Sequence, residues 1–212
     1  MAQRTIHYLF AEMISRNIEL KDKTRFLLGS ILPDAYVDVK DRDTTHFMIR
    51  GEDGNYFDFH AFLENYYELI QKDDLYLGYY MHLVEDAFYR DIFHNKYEKR
   101  PRSMEDVKRL HKDYHILNAY IVKKYGLENA LKQNYALEKE VFHEIAAFRV
   151  DAFLEELDED FHENVLGETF YITESMVDEF IESYLPLALK EMQSIQTGKS
   201  CLRVEDYVWA KK

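Results

Sequence analysis

The chain has 212 residues and a mass of 25.5 kDa, enough for one domain with a full core, and its 47% apolar and 32% charged content with seven glycines and three prolines fits neither a disordered chain nor a turn-rich β-sandwich. A net charge of −13, from 27 basic and 40 acidic residues, opposes general binding to nucleic acid or to an anionic membrane surface. The single cysteine, Cys201, excludes an internal disulfide framework and a cysteine-built zinc site.

The N-terminal stretch has charges on both sides of a short apolar run and no small-residue cleavage site, so it does not read as a secretory signal. Apolar runs are broken within about eight residues, where a membrane-spanning helix needs about 20. A cytoplasmic protein without a transmembrane segment is therefore expected. Ile6, Leu9, Phe10, Met13, Ile14 and Ile18 recur at helical spacing and predict a first helix over residues 3–19. Asp22 is placed to cap a second helix over 23–32, which Pro33 should end by excluding the helical conformation from the residue before it. Asp34 then sits just past a helix end. Residues 35–55 are rich in Asp, Thr and Gly with little periodicity and read as a long loop, a length usually tied to function or disorder.

Two helical segments follow over 56–72 and 74–94, with Lys72, Asp73 and Asp74 supplying the turn and N-cap between them, so they should pack as a hairpin. Pro101 and Ser103 precede a helix over 104–125, ended by Gly126. Residues 130–161 and 173–195 complete the helices, the last of them despite Pro186. The fold class expected is all-α: one multi-helix domain over residues 1–196 with about six or seven helices, and a C-terminal tail over 197–212.

The chemistry is carried by histidines and carboxylates. Gly78, His82 and Asp86 follow at intervals of four and share one helix face, so an imidazole and a carboxylate one turn apart can ligate one divalent metal at about 2.0–2.2 Å, with glycine removing bulk beside them. The bland alternative is a histidine paired with a surface aspartate. His7 in the first helix, Asp34 after Pro33, and His46 in the polar stretch are further metal-compatible groups, each with its own ordinary explanation as a core, cap or loop residue.

In chain order, His7, Gly29-Ser30-Ile31-Leu32-Pro33-Asp34, His46-Phe47 and Leu77-Gly78 followed by His82-Leu83-Val84-Glu85-Asp86 resemble the bacterial zinc-dependent phospholipase C family, whose fold the S1/P1-type nucleases share. The resemblance covers roughly residues 5–98. It implies that Asp34, His46, His82 and Asp86 surround one zinc, with Asp86 bridging toward a second ion held partly by His7. It implies two or three Zn2+ ions, though other divalent ions would suit the same groups. A water activated by the metals would attack phosphorus, with Asp34 as a ligand that also orients or deprotonates it. The family's third site uses another His and then a His-x3-Glu; His94 and Glu98 match the latter, while the intermediate His is missing and only Asp91 lies near its place. His94, Glu98 and, on the next helix, Asp113 are therefore tentative ligands.

Secreted members also use the processed chain start as a ligand, and Met1 lies only six residues before His7. The other five histidines, His60, His111, His115, His143 and His162, read as structural or solvated. The expected substrate is a small phosphoester or a phospholipid headgroup, and nucleic acid is disfavoured by the charge. Two alternatives stay open: a non-catalytic helical module that kept the fold with an incomplete metal cluster, and an HD-type phosphohydrolase, which would need a His followed directly by Asp that the sequence lacks.

Overall fold

Helix starts follow the caps written in the sequence. Asp22, Asp58, Asp73, Ser103 and Thr173 each accept a backbone N–H of the turn that follows, at 2.9–3.3 Å. The computed structural model describes residues 2–132, 135, 137 and 139–209. Among them, seven helices run for nine or more residues: α1 (Arg4–Ser15), α2 (Lys23–Ile31), α4 (Phe59–Lys72), α5 (Asp74–Arg90), α6 (Met104–Tyr125), α8 (Val150–His162) and α9 (Glu174–Ile195). Two single-turn helices, α3 (Arg42–Thr45) and α7 (Phe142–Ile145), and one two-stranded hairpin, β1 (Met48–Arg50) with β2 (Asn55–Phe57), complete the order. The fold is all-α, and none of the described helices is long and apolar enough to cross a membrane.

The central element is α5, which buries residues around its whole circumference, as a helix surrounded by others must. It meets α2 at two glycines. A Cβ on Gly78 would lie 2.2 Å from Phe26 O, and one on Gly29 would lie 2.0 Å from Leu75 O, so the two backbones touch where side chains would hold them apart. Aromatic rings fill the core on either side. Phe62, Tyr79 and Phe142 stack with centroids 4.7 Å apart, and Phe10 meets Phe180 and Tyr184 edge-on at 5.3 and 4.6 Å.

The structure revises several sequence-based boundaries. Leu32 keeps a right-handed helical conformation (φ −59°, ψ −38°), and Pro33 sits inside a 3-10 turn over Leu32–Asp34, so proline tightens the helix end instead of excluding the preceding residue from it. The stretch read as a loop after Asp34 is ordered by 3-10 and α turns and by the β1–β2 hairpin, with Met48 opposite Phe57. The helix expected to 94 leaves α geometry at Arg90 and continues as a π turn over Asp91–Lys96. The long helix expected over 130–161 is broken: α7 ends at Ile145 and α8 begins at Val150, because the N–H of Arg149 goes to Ala35 O (2.8 Å) and Ala147 O accepts from Val37 (3.0 Å). Positions 133, 134, 136 and 138 of that stretch lie outside the described residues.

Beyond Thr197 the chain packs back on the body. Trp209 exchanges both backbone hydrogen bonds with Asn55 at 2.9 Å, and the fully buried Glu191 accepts from Tyr80 Oη (2.6 Å) and from the Cys201 N–H (2.8 Å).

Gly78→Ala should lower stability even though alanine favours a helix by about 1 kcal/mol, because the added methyl meets backbone that cannot move aside; overpacking of this kind costs about 1–3 kcal/mol. Thermal denaturation should show a fall in Tm of about 2–4 °C per kcal/mol, whereas a rise would show that the α2–α5 contact is looser than described.

Candidate metal centre

His82 and Asp86 project from α5, His7 from α1, Asp34 from the 3-10 turn closing α2, and His46 from the residue following α3. All three rings are buried, and Asp86 is fully so. His82 Nδ1 lies 2.8 Å from Ser30 O and His46 Nδ1 lies 2.9 Å from Arg42 O. A carbonyl oxygen only accepts, so both rings carry their proton on Nδ1, and a neutral ring held this way presents a bare lone pair at Nε2. Those two Nε2 atoms face each other at 3.3 Å.

Carboxylate oxygens close the same space. Asp34 Oδ1 is 3.2 Å and Asp86 Oδ2 is 3.7 Å from His46 Nε2, and Asp86 Oδ2 is 4.0 Å from His82 Nε2. On the other side of the two carboxylates, His7 Nε2 is 3.8 Å from Asp34 Oδ2 and 3.7 Å from Asp86 Oδ1. Each aspartate thus turns one oxygen toward the His46–His82 side and the other toward His7. Zinc bonds of about 2.0–2.1 Å in a tetrahedron put neighbouring ligand atoms about 3.3 Å apart, close to these separations. His7 Nε2, Asp34 Oδ1 and Asp86 Oδ2 are buried and make no hydrogen bond. Buried groups of this kind need a partner, and a cluster of imidazole and carboxylate atoms left unpartnered fits a cation.

Electrostatics favour the ligand form of the rings. Burial lowers the pKa of His7, and burial together with the neighbouring His7 lowers that of His82 to about 3, so both imidazoles stay neutral near pH 7. The His7 and His82 rings stack with centroids 3.9 Å apart. Tyr79 Oη donates to Thr45 O at 2.6 Å, which ties the His46 turn to α5, and Phe47, in the left-handed region at φ 50°, packs on Phe62.

Sequence reasoning missed three parts of the centre. Ala2 N donates to Asp86 Oδ1 at 2.9 Å; Met1, noted above for its nearness to His7 in sequence, lies outside the described residues. Glu85, buried beside Asp86, brings Oε1 to 3.1 Å from His7 Nδ1, and burial followed by the charges of Asp86 and Asp34 pushes its carboxyl well up. A cavity of about 290 Å³ opens beside Asp34 and Ala2, walled by Arg4, Tyr36, His111, Tyr114, His115, Asn118, Arg149 and Phe153. His111 and His115, read as solvated, line this cavity. The i, i+4 spacing that put them on one helix face is the same whether that face meets water or a cleft.

The tentative ligands go elsewhere. Asp113 accepts the backbone N–H groups of Phe170, Tyr171 and Ile172, the first and last at 2.8 and 3.0 Å, so it organises the chain before α9 and faces away from the centre. His94 Nε2 lies 2.9 Å from Arg90 Nη1. His94 and Glu98 belong to no group of metal-competent ligands among the described residues. His115, Asp160 and Glu163 do form such a group, but Arg4 holds Asp160 at 2.6 and 3.1 Å, and Asn118 donates to Glu163 at 2.7 Å.

The family model described as zinc-dependent phospholipase C matches residues 6–195. The chain belongs to that family. No curated protein and no solved structure matches it significantly. As a member of the zinc-dependent phospholipase C family, the chain brings His7, Asp34, His46, His82 and Asp86 together, with a cavity at their edge.

Asp113→Ala should destabilise the protein by about 2–5 kcal/mol, since three N–H groups lose their acceptor. Zinc content measured on the folded variant should match the wild type, and loss of metal would return Asp113 to the ligand set.

Proposed function

We propose that the protein is a zinc-dependent phosphoester hydrolase with a two-cation centre, in which His46 and His82 would hold one ion and His7 the other, with Asp34 and Asp86 as carboxylates available to both. The observation that carries this reading is the pair of Nε2 atoms facing each other at 3.3 Å with carboxylate oxygens closing the same space, a buried convergence of nitrogen and oxygen ligand atoms that suits a cation. When bound, zinc supplies Lewis acidity toward a phosphoryl oxygen and lowers the pKa of water.

The chain's own groups do the rest. Asp34 lies both among the metal-competent groups and on the cavity wall, so its carboxylate orients the attacking water and accepts its proton. Ser30 O and Arg42 O hold the His82 and His46 rings in one tautomer, which keeps the cation positions fixed while charge develops on the substrate. The cavity takes the headgroup or other polar part of the phosphoester. Its volume of about 290 Å³ and its wall of Arg4, Asp34, His111, His115, Asn118, Arg149 and Asp160 suit a compact ligand with both hydrogen-bond donors and acceptors. The Phe153 ring carries Arg4 at 5.3 Å and Arg149 at 5.9 Å, so it is already occupied by cations and is a poor cradle for a quaternary ammonium group. An acyl chain finds no aliphatic wall there.

Two ions, not three, follow from the ligand set, since His94 and Glu98 join no such group among the described residues. Mass-spectrometric metal analysis of the purified protein should find about two zinc ions per chain, with hydrolysis of bis(p-nitrophenyl) phosphate that a chelator abolishes and zinc restores. His82→Ala should lose zinc and turnover together. Metal-free protein with undiminished turnover would overturn the reading, and zinc-loaded protein inert toward phosphodiesters would favour a non-catalytic module. Arg149→Met should raise KM about tenfold while changing kcat less, because it removes a contact to the bound polar group and leaves the centre intact.

A further inference from the structure

We infer that Glu85 is the positioning residue for the His7 half of the centre, taking the Nδ1 proton of His7 on its carboxyl oxygen and committing Nε2 to the cation shared with Asp34 and Asp86. This rests on the two-cation reading above and names what makes the second position distinct from the first.

The three imidazoles are oriented in two different ways. His82 and His46 are held through Nδ1 by backbone carbonyls, at 2.8 and 2.9 Å, and no side-chain substitution removes those acceptors. His7 has a side chain in that place: Glu85 Oε1 at 3.1 Å from Nδ1. Both atoms are buried without a hydrogen-bond partner, and their 3.1 Å approach is an ion-pair distance that a small rotation of either side chain turns into a hydrogen bond; the Glu85 residue is 3% exposed. His7 is the only cationic or imidazole partner within ion-pair distance of Glu85 among the described residues.

A glutamate at this depth needs a reason. Burial of a carboxyl beside Asp86 is costly, and an apolar residue at position 85 would fill the same interior of α5 without that cost. The contact with His7 offsets part of it, and cations in the centre offset more by neutralising Asp34 and Asp86. An imidazole without an acceptor at Nδ1 moves its proton to Nε2 or rotates in place. Either change removes the lone pair that points between Asp34 Oδ2 and Asp86 Oδ1. Either protonation state of the carboxyl leaves an oxygen able to accept from Nδ1, as does the amide oxygen of glutamine.

The two cation positions should therefore separate in Glu85 variants. Zinc affinity is read by two-step competition of the purified full chain against a chromogenic chelator. The wild type should bind two ions, and Glu85→Met should weaken one step by about 10–100-fold while leaving the other unchanged. Glu85→Gln, which keeps the oxygen, should stay near the wild type in both steps. Far-ultraviolet circular dichroism identifies folded variants. If Glu85→Met fails to fold, long-range 1H–15N spectra of the metal-free wild type decide the matter: the His7 proton should be on Nδ1 without a metal to force it there, and a proton on Nε2 overturns the assignment. Two unchanged binding steps in folded Glu85→Met overturn the role of Glu85 while sparing the two-cation reading. Wild type without bound zinc overturns both.

Discussion

The centre depends on how closely α2 and α5 approach. With glycine at positions 29 and 78 the helices meet at backbone distance, and this contact brings Ser30 O within 2.8 Å of His82 Nδ1 and sets the turn bearing Asp34 against the face bearing Asp86. Side chains at either position would separate the helices and lengthen the Ser30–His82 contact first. The remaining candidate ligands are added to this pair. His7 arrives on α1 and stacks on His82, and His46 arrives on a turn tied down by Tyr79 and by the packing of Phe47.

Charge gives the arrangement its chemical sense. The chain is acidic overall at −13, and it buries Asp86 and Glu85 around neutral imidazoles with no lysine or arginine within ion-pair distance of either carboxylate among the described residues. Elsewhere the acidic groups have partners from the chain itself: Asp113 and Glu191 take N–H and O–H donors. Asp160 faces Arg4, and the half-buried Asp73 faces Arg25 at 2.5 Å. That contrast separates the two kinds of acidic site: one is satisfied by the chain itself, the other is grouped with imidazoles that could hold a metal.

Much of the centre was legible because its information is local. His82 and Asp86 are one helical turn apart, and Pro33 beside Asp34 marks a helix end, so spacing made these groups metal-compatible, and the resemblance to the phospholipase C family joined them with His7 and His46. The span of α6 was equally local, set by the Ser103 cap and by Gly126 at φ 59°. What could not be read depends on partners distant in sequence. Glu85 looks like one half of an acidic pair until His7 is brought beside it. Asp113 lies between two cavity-lining histidines in sequence yet points elsewhere, because successive residues of a helix turn by about 100°. The break before α8 has the same origin: Arg149 gives its N–H to Ala35, and no local pattern reports that.

Anomalous diffraction at the zinc edge from crystals of the zinc-loaded protein tests the account most directly. Two peaks are predicted, both touching Asp34 and Asp86, one beside His46 and His82 and the other beside His7. A single peak, or zinc bound away from these residues, for example at His115, Asp160 and Glu163, would contradict it.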